Sequence, residues 1–349
     1  MSEWMQRSPV FQLALMRLRL FLREPGGLFW TFGFPIIVSL ILGLAFRSKT
    51  PDPIFVAVVE GAGEEKLGPL LAREPSVTAT TLPAVRADEA LRTGKVSVVV
   101  RQEADGTIDY HFDESRPESR LARLVVNDAI QRGTGRSDPT PIHESRVTEP
   151  GARYIDFLVP GLLGLGLMST GLWGIGFSLS EMRTRKLLKR LVATPMRKSD
   201  FLFSFLVVRI FALLIEVPSF LAFAHVAFDV RIKGSPVSIL LVALVGALTF
   251  ATIGLLIACR TESSHVVSGV INVISFPMYL CSGVFFSYER FPAAFHPLIR
   301  LFPLTLLIQA LRSSIIEGES VAALAVPLLT LSAWGAGAFL LALKLFRWK

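Results

Sequence analysis

Six stretches of this chain hold apolar residues in runs long enough to cross a bilayer, separated by segments of quite different polarity. They occupy residues 27–46, 154–179, 201–228, 236–258, 266–287 and 321–346. A helix needs roughly 20 apolar residues to cross the hydrocarbon core, so the pattern predicts six transmembrane helices. Ahead of the first, Phe11, Leu15, Leu18 and Leu22 recur at i, i+4, i+7 and i+11, with Gln12, Arg19 and Arg23 on the opposite face. That spacing predicts an amphipathic helix over 9–23, lying in the headgroup plane within a cytoplasmic region 1–26.

Residues 47–153 break the pattern. Short β-prone runs at 54–60, 77–82, 96–101 and 107–112 predict strands, and 64–73, 84–92 and 117–132 predict helices. Residues 132–150, rich in Gly, Pro, Ser and Thr, read as a linker back to the membrane. The expected fold is therefore an α-helical integral membrane protein. A small α/β extracytoplasmic domain sits between the first and second spans, and the remaining spans fill 154–346. Prolines punctuate the spans at Pro35, Pro160, Pro218, Pro277 and Pro327. Small residues at Gly166, Thr170 and Gly174, and at Ala243, Ala247 and Ala251, predict close helix crossings.

Charge sets the orientation. Lys and Arg number 36 against 28 Asp and Glu, a net charge of +8. The basic residues gather at Arg7, Arg17, Arg19 and Arg23, then at Arg183, Arg185, Lys186, Lys189, Arg190, Arg197 and Lys198, and finally at Lys344, Arg347 and Lys349. Six spans put all three groups on one side, and the positive-inside rule makes that side cytoplasmic, with both termini. The basic balance is thus a membrane signature. Without aromatic-interleaved basic patches outside the helices it does not indicate nucleic acid. No cleavable signal peptide is expected, because four arginines precede any long apolar run. Cys259 and Cys281 fall near opposite faces, so no disulfide joins them, and the five histidines lack ligand spacing, so no metal site is expected.

The chemistry begins with an absence. The nearest fragment to a phosphate-cradling loop is Gly94-Lys95, but Val96 follows it and Glu89 stands where the first glycine belongs. No cofactor is expected on this chain. ATP and Mg, if they drive it, are bound by a partner. The cytoplasmic segment 180–198 is more informative. Leu187, Leu188, Leu191 and Val192 form an apolar stripe, Arg183, Lys186, Lys189 and Arg190 are basic, and Thr194-Pro195 ends the run. Such a helix either docks in a groove on another protein or anchors to lipid headgroups, and spacing leaves both open.

The segment Glu181-Met-Arg-Thr-Arg-Lys-Leu-Leu-Lys-Arg-Leu-Val-Ala-Thr-Pro195 resembles the coupling loop of ABC-2 type permeases. Lys186-Leu187 stands where many members carry a glycine-threonine pair. The resemblance extends through Arg23-Glu-Pro-Gly-Gly-Leu-Phe-Trp-Thr-Phe-Gly-Phe-Pro35, Phe157-Leu-Val-Pro-Gly161, Cys281-Ser-Gly-Val-Phe-Phe-Ser-Tyr-Glu-Arg-Phe-Pro292, Leu301-Phe-Pro-Leu-Thr305 and Ala310-Leu-Arg312. Only the α/β domain matches weakly. The resemblance implies the membrane-spanning subunit of an ABC exporter in the bacterial inner membrane. Two such protomers, a homodimer in the simplest case, would join two ATP-binding subunits. Its coupling helix would include Glu181, Arg183, Lys186, Leu187, Lys189, Arg190, Thr194 and Pro195.

Candidate gate or path residues are Arg209 and Glu216, charges at membrane depth, and Phe285, Phe286 and Pro303. The last three flank or lie in a broken segment, 288–319, that suits short re-entrant helices at the outer face. The sparsely charged spans favour hydrophobic or amphipathic cargo: a drug, a natural product or a lipid-linked molecule. Two other classes compete. A receptor would use the α/β domain as a ligand sensor. An ion-driven secondary transporter would show more intramembrane carboxylates and repeated halves. A membrane enzyme lacks any paired acids, metal cluster or nucleophile–base set in the spans.

Overall fold

The computed structural model describes residues 9–23, 25–45, 53–61, 64–103, 105–137, 140, 153–188, 197–261 and 263–347. Two compact units emerge, one formed by residues 1–47 and 147–349 and the other by 48–146.

The smaller unit is a four-stranded sheet with helices on both faces. Its elements are β1 (Ile54–Val59), α3 (Glu64–Leu71), β2 (Val77–Leu82), α4 (Ala84–Arg92), β3 (Val98–Gln102), β4 (Ile108–His111) and α5 (Pro117–Gly133). The strand order is β2-β1-β3-β4, parallel except for β4 at the edge. Central strand β1 is apolar throughout because both its faces are covered. Val56 and Val58 pack with Leu67, Leu71, Val126 and Ile130 of α3 and α5, while Ala57 and Val99 meet Ala87 and Ala90 of α4. Every strand and helix expected in this region is present, each within a few residues of its predicted ends.

The larger unit is helical. Helix α1 (Pro9–Arg23) precedes, among the described residues, six helices long and apolar enough to cross a membrane: α2 (Pro25–Ala45), α6 (Tyr154–Thr184), α7 (Lys198–Phe228), α8 (Pro236–Ala258), α9 (Ser264–Cys281) and α12 (Ala325–Leu345). The protein is thus a multi-pass α-helical membrane protein. Three predicted ends move most. The second span runs on to Thr184, past the predicted 179. The fifth span stops at Cys281 instead of residue 287, because Ser282 leaves the helix and Gly283 takes φ +82°, a left-handed conformation that releases the chain. The sixth begins at Ala325, after a turn over residues 321–324. Between them, Ala293–Leu301 and Pro303–Glu317 meet at 87°, with Pro303 opening the second arm. These arms are α10 (His296–Leu301) and α11 (Pro303–Arg312), the latter continuing as a π-helical turn, Ser313–Glu317.

Helices α6 and α8 form the centre. Within their apolar windows 78% and 61% of residues are buried, against 22%, 22% and 17% for α2, α9 and α12. The two cross closely at glycines. A Cβ on Gly171 would fall 2.7 Å from Phe250 Cβ, and one on Gly254 would lie 2.5 Å from the Gly171 carbonyl oxygen. Backbone contact of this kind is how helices associate where lipid is as apolar as the side chains. The alanines Ala243, Ala247 and Ala251 are fully buried as their spacing predicts. In the glycine row the crossing falls on Gly171, and Gly174 faces open space. At the start of α6, Arg153 pairs with the buried Asp156 carboxylate at 2.9 Å and donates to the Asp229 carbonyl, tying α6 to the end of α7.

Candidate functional site

The segment predicted to couple this chain to a partner starts at the end of α6. The helix does not run on from Glu181 to residue 192 as predicted. It ends at Thr184, and Arg185 and Lys186 form a turn before a new helical run begins at Leu187-Leu188. The break is at Lys186, whose φ of 56° is left-handed. That conformation costs an L-residue roughly 1–2 kcal/mol and suits the glycine that the resemblance places there. Lys186→Gly should therefore stabilise the turn by about 0.5–1 kcal/mol. Hydrogen exchange at residues 184–188 should slow in the variant; faster exchange would contradict this account of the turn. Lys189, Arg190, Thr194 and Pro195 lie outside the described residues.

The basic residues of this segment point in different directions. Arg185 and Lys186 are exposed, and Arg185 pairs with Glu181 at 2.7 Å on the surface. Leu187 is half-buried and Leu188 is 2% exposed. Arg183, read as a docking residue, instead turns inward and is buried. Its guanidinium donates to the Cys259 carbonyl just beyond α8 and, at 2.7 Å, to the Arg347 carbonyl beyond α12. It also lies 5.2 Å from the centre of the Phe346 ring. A guanidinium suits this position because its fork can serve two carbonyls and an aromatic face together.

The other root of the segment grips the same place. Lys198, first residue of α7, donates to the Phe346 carbonyl at 3.2 Å. The Phe346 ring is 1% exposed and packs 5.5 Å from Phe201, which packs edge-on against Phe205 at the same distance. Arg17 of α1 closes the row, 3.2 Å from the centre of Phe205 and 5.0 Å from that of Phe201. Sequence spacing puts Phe11, Leu15, Leu18 and Leu22 on the apolar face of an interfacial helix. The structure turns Leu13, Ala14 and Arg17 inward and exposes Leu22, because the aromatic pair on α7 provides a seat for the guanidinium. The three Arg17 nitrogens have no hydrogen-bond partner among the described residues, and burial lowers its pKa to about 9.

The membrane-depth charges are brought together. Arg209 and Glu216, two turns apart on α7, pair at 2.6 Å with each side chain 4% exposed. Glu216 also lines a small cavity with Thr31 and Pro35 of α2 and Leu162 and Gly166 of α6. The pair therefore lies inside one protomer, among α2, α6 and α7.

The other gate candidates sit in a tight junction. The Tyr154 hydroxyl donates to the Phe285 carbonyl at 2.9 Å, and Phe286 packs against Phe291 with ring centres 5.9 Å apart. Pro303 is buried at the start of α11. Arg312 donates to the Gly283 carbonyl at 3.1 Å and lies 3.8 Å over the Phe157 ring. A Cβ at Gly161 would approach the Val284 carbonyl oxygen to 2.5 Å. Tyr154 was not singled out from sequence, and Arg312 was noted only within the Ala310-Leu-Arg312 resemblance, not as a residue of this junction. An arginine inside an apolar run was the available signal for Arg312, as it was for Arg209. Among the described residues no group of His, Cys, Asp and Glu could hold a metal ion.

Comparison with known proteins places the chain beside a transporter family and a curated relative. Residues 25–344 match the family described as ABC-2 family transporter protein. A stretch of 173 residues, 48% of this chain, is 26% identical to ABC transporter G family member 20 of Dictyostelium discoideum. The chain spans about a quarter of that relative's length, 23%.

Proposed function

The chain belongs to the ABC-2 family of transporter proteins, and from that premise we propose that it is the membrane-spanning half of an ATP-driven exporter. The single observation that carries this reading is the geometry around residues 184–197. Both roots of the segment, Arg183 and Lys198, hold the end of α12, and Arg183 also holds the end of α8. A push on its exposed turn would reach α6 directly, and α8 and α12 through the contacts of Arg183. An ATP-binding subunit docked there could move them as a body between two arrangements. The drive comes from its different affinity for ATP in the two states.

On this reading ATP and Mg stay on the partner, and two permeases face two ATP-binding subunits. The basic segment and both termini are cytoplasmic, in the inner membrane of a bacterium. The α/β unit lies outside, and α1 rests in the interface with Met16, Leu20, Arg19 and Arg23 exposed. Cargo is hydrophobic or amphipathic, because the spans carry few charges and Arg209 and Glu216, at membrane depth, are buried against each other within the protomer. Direction is tested in inverted membrane vesicles holding the chain and its ATP-binding subunit. ATP should drive a panel of lipophilic dyes into the vesicle lumen, which corresponds to export from the cell. ATP-driven loss of preloaded dye would overturn export.

A further inference from the structure

Helix α1 presents two unlike faces. Leu13, Ala14 and Arg17 are buried, and Arg17 is seated on the Phe201 and Phe205 rings of α7. The opposite face is open. Gln12, Met16 and Leu20 form one row at four-residue spacing, and Leu15, Arg19 and Arg23 form the next. Together they line an open groove of about 380 Å³. Met16 is 46% exposed, Leu20 59% and Leu22 55%. The helix holds three arginines and no acid, and the nearest acid, Glu24, follows its end. Neither Arg19 nor Arg23 has an ion-pair partner among the described residues.

Exposed apolar side chains beside unpaired arginines suit neither bulk water nor hydrocarbon. They suit the boundary between the two, where apolar side chains enter the acyl region and arginine stems carry their charge out to the headgroups. A guanidinium meets phosphate with paired N–H donors. Span α2 begins at Pro25, two residues after α1 ends, so the helix is tethered at that boundary. A groove on another protein would also cover an apolar face. The absence of any acid from the helix favours a surface of dense negative charge instead.

We propose that this face of α1 is a binding site for anionic phospholipid, and that its occupancy tightens the clamp around Phe346. Arg19 and Arg23 hold the lipid phosphate, and the acyl chains lie along Met16 and Leu20. The signal passes through the inner face. The Arg17 nitrogens have no hydrogen-bond partner among the described residues, so the guanidinium meets only the two ring faces. Phe201 packs against Phe346, whose carbonyl takes the Lys198 ammonium and whose ring lies beside Arg183. A load on α1 therefore reaches the contacts that cover Cys259. The inference rests on the reading that α1 lies in the interface, and it needs no ATP-binding subunit.

The test uses the purified full-length chain. In mixed micelles of equal phosphatidylglycerol and phosphatidylcholine, native mass spectrometry counts the lipids retained. The chain should keep phosphatidylglycerol in preference. Changing Arg19→Gln and Arg23→Gln together should lower that preference on the order of tenfold. Arg231→Gln, at an exposed arginine outside α1, should leave it unchanged. Excess inorganic phosphate should not displace the lipid, which separates a lipid surface from a site for a free anion. Maleimide labelling of Cys259 should be about fivefold slower in vesicles containing phosphatidylglycerol than in phosphatidylcholine alone. Arg17→Leu should keep the lipid preference and lose that difference. A preference that survives in the double variant overturns the site. Equal labelling of Cys259 in both lipids overturns the transmission. With Cys259 and Cys281 changed to Ser, an environment-sensitive label on Leu20→Cys separates the two ways of failing. A label in an apolar setting without any lipid preference leaves α1 in the interface and overturns the site alone. A label in water in both lipids overturns the interfacial reading as well. A label shielded by the ATP-binding subunit and not by lipid gives the face to a protein and overturns the lipid site.

Discussion

Glu216→Leu is expected to destabilise the larger unit by about 3–5 kcal/mol, because it strands the Arg209 guanidinium among α2, α6 and α7. For a unit of this size that is a fall in melting temperature on the order of 10 °C in mild detergent. The double variant Arg209→Met with Glu216→Leu should recover most of the loss, since an apolar pair of similar volume needs no desolvation. The two together separate structure from transport. If the pair only holds three spans, the double variant is stable and still moves cargo. A double variant that is stable and folded yet inactive would make the pair part of the pathway, against its burial here.

The second large effect is at Arg183. Its side chain covers the turn after α8, where the Cys259 thiol is 1% exposed and burial pushes its pKa up. A buried, protonated thiol is a poor nucleophile. Arg183→Gln removes the cation that joins Cys259, Phe346 and Arg347. It should raise the rate of maleimide labelling at Cys259 by an order of magnitude or more, with Cys281 unchanged as an internal control. Phe346→Ala should act in the same direction by opening the aromatic row. Unchanged labelling in both variants would mean that the ends of α6, α8 and α12 are held by something other than this clamp.

The outlines of the fold were legible because hydrophobic periodicity is a local signal. The short β-branched strands of the α/β unit and the long apolar runs from Tyr154 to Leu345 carry it strongly, and helices α4 and α8 match their predicted limits. The site was legible as a location but not as a geometry. Seven basic residues within residues 183–198 marked a functional loop, yet nothing in their spacing says that Arg183 turns inward while Arg185 and Lys186 turn outward. That division depends on where Phe346 and the Cys259 carbonyl lie, 76 or more residues away in sequence. Helix α1 shows the same limit. Its spacing names Gln12, Arg19 and Arg23 for the polar face and leaves Arg17 unassigned, and only the arrival of Phe201 and Phe205 gives Arg17 a buried seat. Arg209 and Glu216 were visible as charges at membrane depth; seven residues apart, they share a face of α7, and the length of the arginine side chain closes the two-turn gap.

The measurement that bears most directly on the account is co-purification with the ATP-binding subunit, comparing two kinds of charge change in one loop. Reversing the exposed charges with Arg185→Glu and Lys186→Glu should abolish association while leaving Cys259 protected. Arg183→Gln should leave the complex assembled and hydrolysing ATP, with Cys259 exposed and transport lost. That pattern is expected if the turn docks the partner and the clamp carries the motion inward. Association that survives reversal of both exposed charges, or that fails in Arg183→Gln alone, would contradict the division of labour on which the mechanism rests.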